Sequence, residues 1–154
     1  FGDVMISLRP TSSAWENKWK ENNLNHQLTN NWNFLGVGIP IKDLENTSDY
    51  YLDLGFSEIP NPKKINYPNL QSNQVKVGPI IFEFFEPSES HPVHNEILME
   101  RGEGISDLVF LVDDLEVEKN KLLNRGTSLL DSNETFAIFD TRKEGNTLIR
   151  LVSK

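Results

Sequence analysis

The sequence predicts an α+β domain in which two βαβββ modules form a curved mixed sheet around a cavity. Three observations predict it. An apolar strand running into Asp-Leu-Glu occurs twice, at Gly36 to Glu45 and at Asp107 to Glu116, which are 71 residues apart. The same spacing pairs Gly55 with Gly126 and Ser57 with Ser128, so the register persists through a helix and into the next strand. Each half also carries turn chemistry, at Gly78-Pro79 and at Glu144-Gly145-Asn146, where a hairpin should join its last two strands.

Residues 1–33 lie outside the repeat and form an N-terminal extension. Val4 to Leu8 suits a strand, and Ser13 with Glu16 offers a capping box for a short helix. Trp15 and Trp19 fall on one face of that helix and are expected to pin the extension to the domain; a lid or dimer arm is the alternative.

The domain proper is expected over 34–154: a first half at 34–87, a linker at 88–104 and a second half at 105–154. In the first half the opening strand leads into a helix over Glu45 to Leu54. Gly55 then supplies the left-handed conformation that helix ends favour. Strands follow at Val75 to Val77 and Ile80 to Glu86, after a loop from Asn61 to Asn73 rich in Pro and Asn. The second half repeats the plan with a helix over Glu116 to Asn124 and strands at Ser128 to Leu130, Thr135 to Phe139 and Thr147 to Val152.

Composition bounds the partners. A chain of 154 residues is long enough to bury a core of its own. Against 23 Asp and Glu stand 15 Lys and Arg, a net charge of -8, and no basic stripe is present, so no nucleic-acid partner is expected. No apolar run approaches the roughly 18 residues of a membrane span. The chain has no Cys, which removes disulfides, thiolate metal sites and thiol nucleophiles together. A cytoplasmic location is the default expectation. Phe1 in place of Met points to a processed product or a piece of a longer protein, with neighbouring domains or a homodimer as expected partners.

The words Val37-Gly38-Ile39-Pro40-Ile41-Lys42-Asp43-Leu44-Glu45, Phe84-Phe85-Glu86-Pro87 and Arg101-Gly102-Glu103-Gly104-Ile105 resemble the vicinal oxygen chelate superfamily. That superfamily includes glyoxalases, bleomycin resistance proteins, extradiol dioxygenases and methylmalonyl-CoA epimerases, and the wording is most similar to the epimerases. The resemblance covers Phe34 to Lys154. It implies a glyoxalase-like fold. It also implies a divalent metal held by the first and last strands of each half, through a set such as His, Gln or Glu, His and Glu.

Carried over, those four positions fall on Gly36, Glu83, Asp107 and Arg150. Glycine has no side chain to coordinate, and a guanidinium has no lone pair to give. No metal and no other cofactor is therefore expected. Arg150 has two arrangements open to it: pairing internally with Glu83 and Asp107, the expected one, or receiving a ligand's carboxylate or phosphate.

Alternation along the strands sends Gly36, Gly38, Pro40, Ile81, Glu83, Phe85, Asp107, Val109, Leu111, Leu148, Arg150 and Val152 to the cavity face. Of these, Glu83, Asp107 and Arg150 are the candidate catalytic groups. Gly36, Gly38, Ile81, Phe85, Val109, Leu111 and Leu148 are the candidate ligand-binding residues. The opposite face, with Val37, Ile39, Ile41, Phe82, Phe84, Leu108, Phe110, Val112, Ile149 and Leu151, should pack under the helices. Side chains such as Phe85, Leu111 and Leu148 could instead fill the trough. His26 is expected at the surface, and His91 and His94 in a solvent-exposed loop.

Three functions follow as expectations. The first is a metal-free small-molecule-binding domain, comparable to the resistance proteins. The second is a metal-independent epimerase, isomerase or lyase acting on an acyl-CoA-like or carbonyl substrate, with Glu83 or Asp107 as base and Arg150 steadying an enolate. The third is a docking domain of a larger multidomain enzyme.

Overall fold

A computed structural model describes residues 31–59 and 70–154. The expected strand at Val4 to Leu8, the helix with Trp15 and Trp19, His26 and most of the Asn61 to Asn73 loop lie outside the described residues.

The first module contains β1 (Trp32–Pro40), α1 (Leu44–Asp53), β2 (Ser57–Glu58), β3 (Ser72–Val77) and β4 (Ile80–Phe85). A connecting helix, α2 (Pro92–Arg101), leads to the second module: β5 (Asp107–Val112), α3 (Leu115–Leu123), β6 (Ser128–Ser132), β7 (Phe136–Thr141), the short α4 (Arg142–Gly145) and β8 (Thr147–Ser153).

The repeated Asp-Leu-Glu is a helix start in both modules. Asp43 accepts a hydrogen bond from the Asn46 amide at 3.0 Å, and Asp114 accepts one from the Val117 amide at 3.0 Å. Each carboxylate satisfies an amide that the first helical turn leaves without a partner. Asp114→Ala should therefore lower stability by about 1 kcal/mol, read as a shift in the urea midpoint. Past the helices Gly55 and Gly126 take φ of 89° and 81°, a region closed to most side chains.

The described strands form one curved sheet in the order β2-β3-β4-β1-β5-β8-β7-β6. Within each module the first and last strands pair in parallel, β1 with β4 and β5 with β8. The modules join through β1 and β5, which pair antiparallel. This brings the four strands expected to carry the site side by side at the middle of the sheet.

The two faces divide as alternation requires. Val37, Ile39, Ile41, Phe82 and Phe84 pack with Leu44 and Tyr51 of α1, and the Tyr51 ring lies 4.7 Å from that of Phe84. Val112, Leu151, Ala137 and Phe139 pack with Leu115 and Leu122 of α3. Phe110 and Ile149 join that second cluster and Leu108 the first. All ten residues assigned to this face are accounted for.

The region 88–104 differs from the expected linker, since α2 occupies most of it and packs onto the opposite face of the sheet. Ile97 is buried with Val109, Leu148, Val152, Phe136 and Ile138, and Val93, Ile81 and Leu111 lean on them. The helix is hard to see in the sequence because only His94 and Ile97 are fully buried along it. Pro92, which looks like a breaker, sits in the first turn, where its missing N–H costs nothing. Smaller differences are that β3 begins at Ser72, within the expected loop, and that the Glu144 to Asn146 turn is the end of α4, with Asn146 left-handed at φ of 57°.

Candidate functional site

β4, β5 and β8 carry Glu83, Asp107 and Arg150 to one place under the sheet's concave face. Gly38 on β1 is in register with Glu83 on one side and Asp107 on the other. Arg150 is in register with Val109 on β5, one inward-facing step further along. Its long side chain covers that step.

Arg150 Nη2 lies 2.5 Å from Glu83 Oε2 and 3.4 Å from Asp107 Oδ2. All three residues are at most 1% exposed, so the ion pairs are fully removed from water. Gly38 makes the approach possible: a Cβ there would stand 2.8 Å from Asp107 Oδ2 and 2.9 Å from Arg150 Nη2. At Gly36 a Cβ would stand 2.1 Å from the Ile81 carbonyl oxygen, inside any contact distance. No side chain fits at that position without moving the backbone of β4.

His94 completes the cluster, although the sequence places it in a solvent-exposed loop. It is 1% exposed, not in a solvent-exposed loop, and its Nε2 donates to Asp107 Oδ1 at 2.9 Å. The Phe85 ring meets the imidazole edge to face at 5.1 Å and fixes its plane. His91, at 8% exposed, is also buried, with Nδ1 2.9 Å from the Ser88 hydroxyl. The reason is α2: a helix here turns His94 inward onto the sheet, whereas a loop would leave it in water. A His three residues before Ile97 was the available signal, being the i, i+3 spacing of one helical face.

Ser106 donates to the same Asp107 oxygen at 2.8 Å, and Ser72 donates to Glu83 Oε1 at 3.4 Å. Burial alone would push the Asp107 carboxyl up. The electrostatic influence of His94 and Arg150, with the hydrogen bonds from His94 and Ser106, outweighs burial and holds it at about 2. Asp107 is thus a carboxylate across the ordinary pH range.

Of the candidate ligand-binding residues, Phe85, Val109 and Leu148 are fully buried, Gly36 and Gly38 are enclosed, and Ile81 and Leu111 are partly covered beside α2. The middle of the trough is packed with side chains. A cavity of ≈ 270 Å³ lies at its rim, bounded by Ser90, His91, Val93, His94, Leu130 and Asp131. A larger groove of ≈ 840 Å³ runs between α2, the loop after α3 and α4. Its Arg142 is engaged by Asp140 at 2.8 Å and Glu96 at 2.9 Å in partly exposed ion pairs, which count for little.

The paired modules and the continuous curved sheet define a glyoxalase-like fold. Among solved structures the chain is similar to methylmalonyl-CoA epimerase from Mycobacterium tuberculosis, with 24% identity, a TM-score of 0.60, and coverage of 82% of this chain and 89% of that one. A methylmalonyl-CoA epimerase in complex with methylmalonyl-CoA and NH4+ matches at 17% identity and TM-score 0.62, over 80% and 94% of the two chains. A hypothetical protein from Bacillus halodurans C-125 matches at 18% identity and TM-score 0.64, over 80% and 94%. No protein-family model and no curated protein matches the sequence.

Proposed function

We propose that this chain is a small-molecule-binding domain that works without a metal ion, with Arg150 supplying the positive charge at the centre of the fold. One observation carries the reading: the buried Arg150 guanidinium stands between Glu83 and Asp107, the carboxylates a divalent ion would need. A cation there would have to expel an always-protonated side chain from its ion pairs, and would face it at close range afterwards. Gly36, the fourth position, has no room for any ligand atom. The residues present do not fit a divalent metal.

The test is elemental analysis of protein purified without chelator and then dialysed against excess Zn²⁺, Co²⁺ or Mn²⁺. Less than a tenth of an equivalent, roughly, is expected for each. Stoichiometric metal lost on Glu83→Gln would overturn the metal-free reading.

The second reading is a metal-independent epimerase, isomerase or lyase on an acyl-CoA-like or carbonyl substrate, favoured by the epimerases among the structural neighbours. The charge state of the cluster weighs against its original form. A carboxylate held at about 2 and locked to a guanidinium is a poor base toward a carbon-bound proton. Proton exchange at the α-carbon of an acyl-CoA in D₂O, absent from Arg150→Met, would favour this reading over binding alone. The docking alternative has less support, because the eight large apolar side chains exposed among the described residues, Phe34, Tyr50, Met99, Val117 and Leu130 among them, are distributed over β1, α1 and its C-cap, α2, α3 and β6.

A further inference from the structure

We infer that β6, the edge strand of the second module, is an interface for a second copy of this chain, with the two β6 strands antiparallel about a twofold axis between Leu129 and Leu130. No described strand pairs with β6 on the side away from β7. Its outward backbone groups are therefore open to the addition of a strand. Edges are often guarded by Lys or Pro, and Ser128-Leu129-Leu130-Asp131-Ser132 has neither. Leu129 and Leu130, both exposed, stand at its centre.

The occupant is a second copy because the edge is complementary to itself. A twofold axis normal to the sheet keeps every residue on its own face, so residues that meet across the axis must share a face. In a regular strand only residues an even number apart do so. The bulge at Leu130 changes that count. Ser128 is in register with Asp140 and Asp131 with Ile138, two apart on β7, so Ser128 and Asp131 share a face although they are three apart. An axis between Leu129 and Leu130 then sets the Ser128 hydroxyl of one copy against the Asp131 carboxylate of the other, and the leucines of both copies against each other. The same register brings Arg125, just before β6, beside Glu134, just past it, at both ends of the pair. Both side chains are exposed, and their charges are opposite. A slip of one residue would set Arg125 against Asn133 or Thr135 and Ser128 against a residue of the wrong face.

An edge of 5 residues buries less than a standard interface, so the dimer is weak, with a dissociation constant of about 10–100 µM. Sedimentation equilibrium of the full chain through and above that range is expected to show monomer giving way to dimer. Arg125→Glu and Glu134→Arg, each an exposed change, should weaken the dimer about tenfold by setting like charges together. The two substitutions in one chain restore opposite charges and should return the dimer to the parent's strength. Leu129→Lys, which puts a charge on the edge itself, should leave monomer only. A parent that stays monomeric throughout, a dimer that neither charge reversal weakens, or a double variant as weak as the singles would overturn the proposal. β6 stands two strands from β8, so these changes leave the Arg150 cluster in place and the metal-free reading stands or falls separately.

Discussion

Arg150→Met is expected to lower the free energy of unfolding by about 3–5 kcal/mol, the usual cost of removing one partner from a buried ion pair. The methionine fills much of the volume, so the loss is electrostatic. Glu83 and Asp107 would remain at the centre of the sheet without the guanidinium that now lies 2.5 and 3.4 Å from them. Neutralising both carboxylates in the same chain, as Glu83→Gln, Asp107→Asn and Arg150→Met together, should return a large part of the loss. Urea titrations of the three proteins, parent, single and triple variant, decide it. If Arg150→Met alone is as stable as the parent, the guanidinium does not hold the carboxylates together. If the triple variant is no better than the single, packing and not charge is the cause.

Acid should loosen the protein through the same cluster. The Asp107 carboxyl is held at about 2, below its ordinary 3.8. A depressed folded value means the stabilisation is fully present above 3.8 and is lost as pH falls through about 2, an amount on the order of 2 kcal/mol. Urea midpoints measured from pH 6 to pH 2 are expected to fall mainly in the lower part of that range. Asp107→Asn, which starts lower, should show a shallower fall there. An equally steep acid dependence in the variant would assign the effect to other carboxylates.

Much of this was legible in the sequence because period-two alternation and register are nearly independent of context. The family resemblance implies the inward places of Glu83 and Arg150, and from those places follows the expected pairing of their charges. The face packed under α1 and α3 followed from the same alternation. The role of His94 did not follow. It depends on whether residues 92–101 coil, and that helix is stabilised by the sheet it covers more than by a pattern of its own. Packing of the trough was equally hidden, since Val109 and Leu148 look the same in a sequence whether a ligand or Ile97 lies over them. From sequence, Gly38 is a candidate ligand-binding position on the first strand, where the lack of a side chain leaves space. The structure shows that the space belongs to Arg150 and Asp107.

The joining of the modules through β1 and β5 has a consequence for the charges between them. Gly38 pairs with Glu83 in one module, and Val109, its counterpart, pairs with Arg150 in the other, so Glu83 and Arg150 occupy equivalent places. Two identical halves related by a true dyad would be forced to present the same residue twice, either two carboxylates or two guanidiniums, facing each other without water. A covalently fused pair, free to diverge at the two places separately, can put an anion opposite a cation. The opposed charges of Glu83 and Arg150 are in that sense a product of broken symmetry, and no homodimer of a single module could reproduce them.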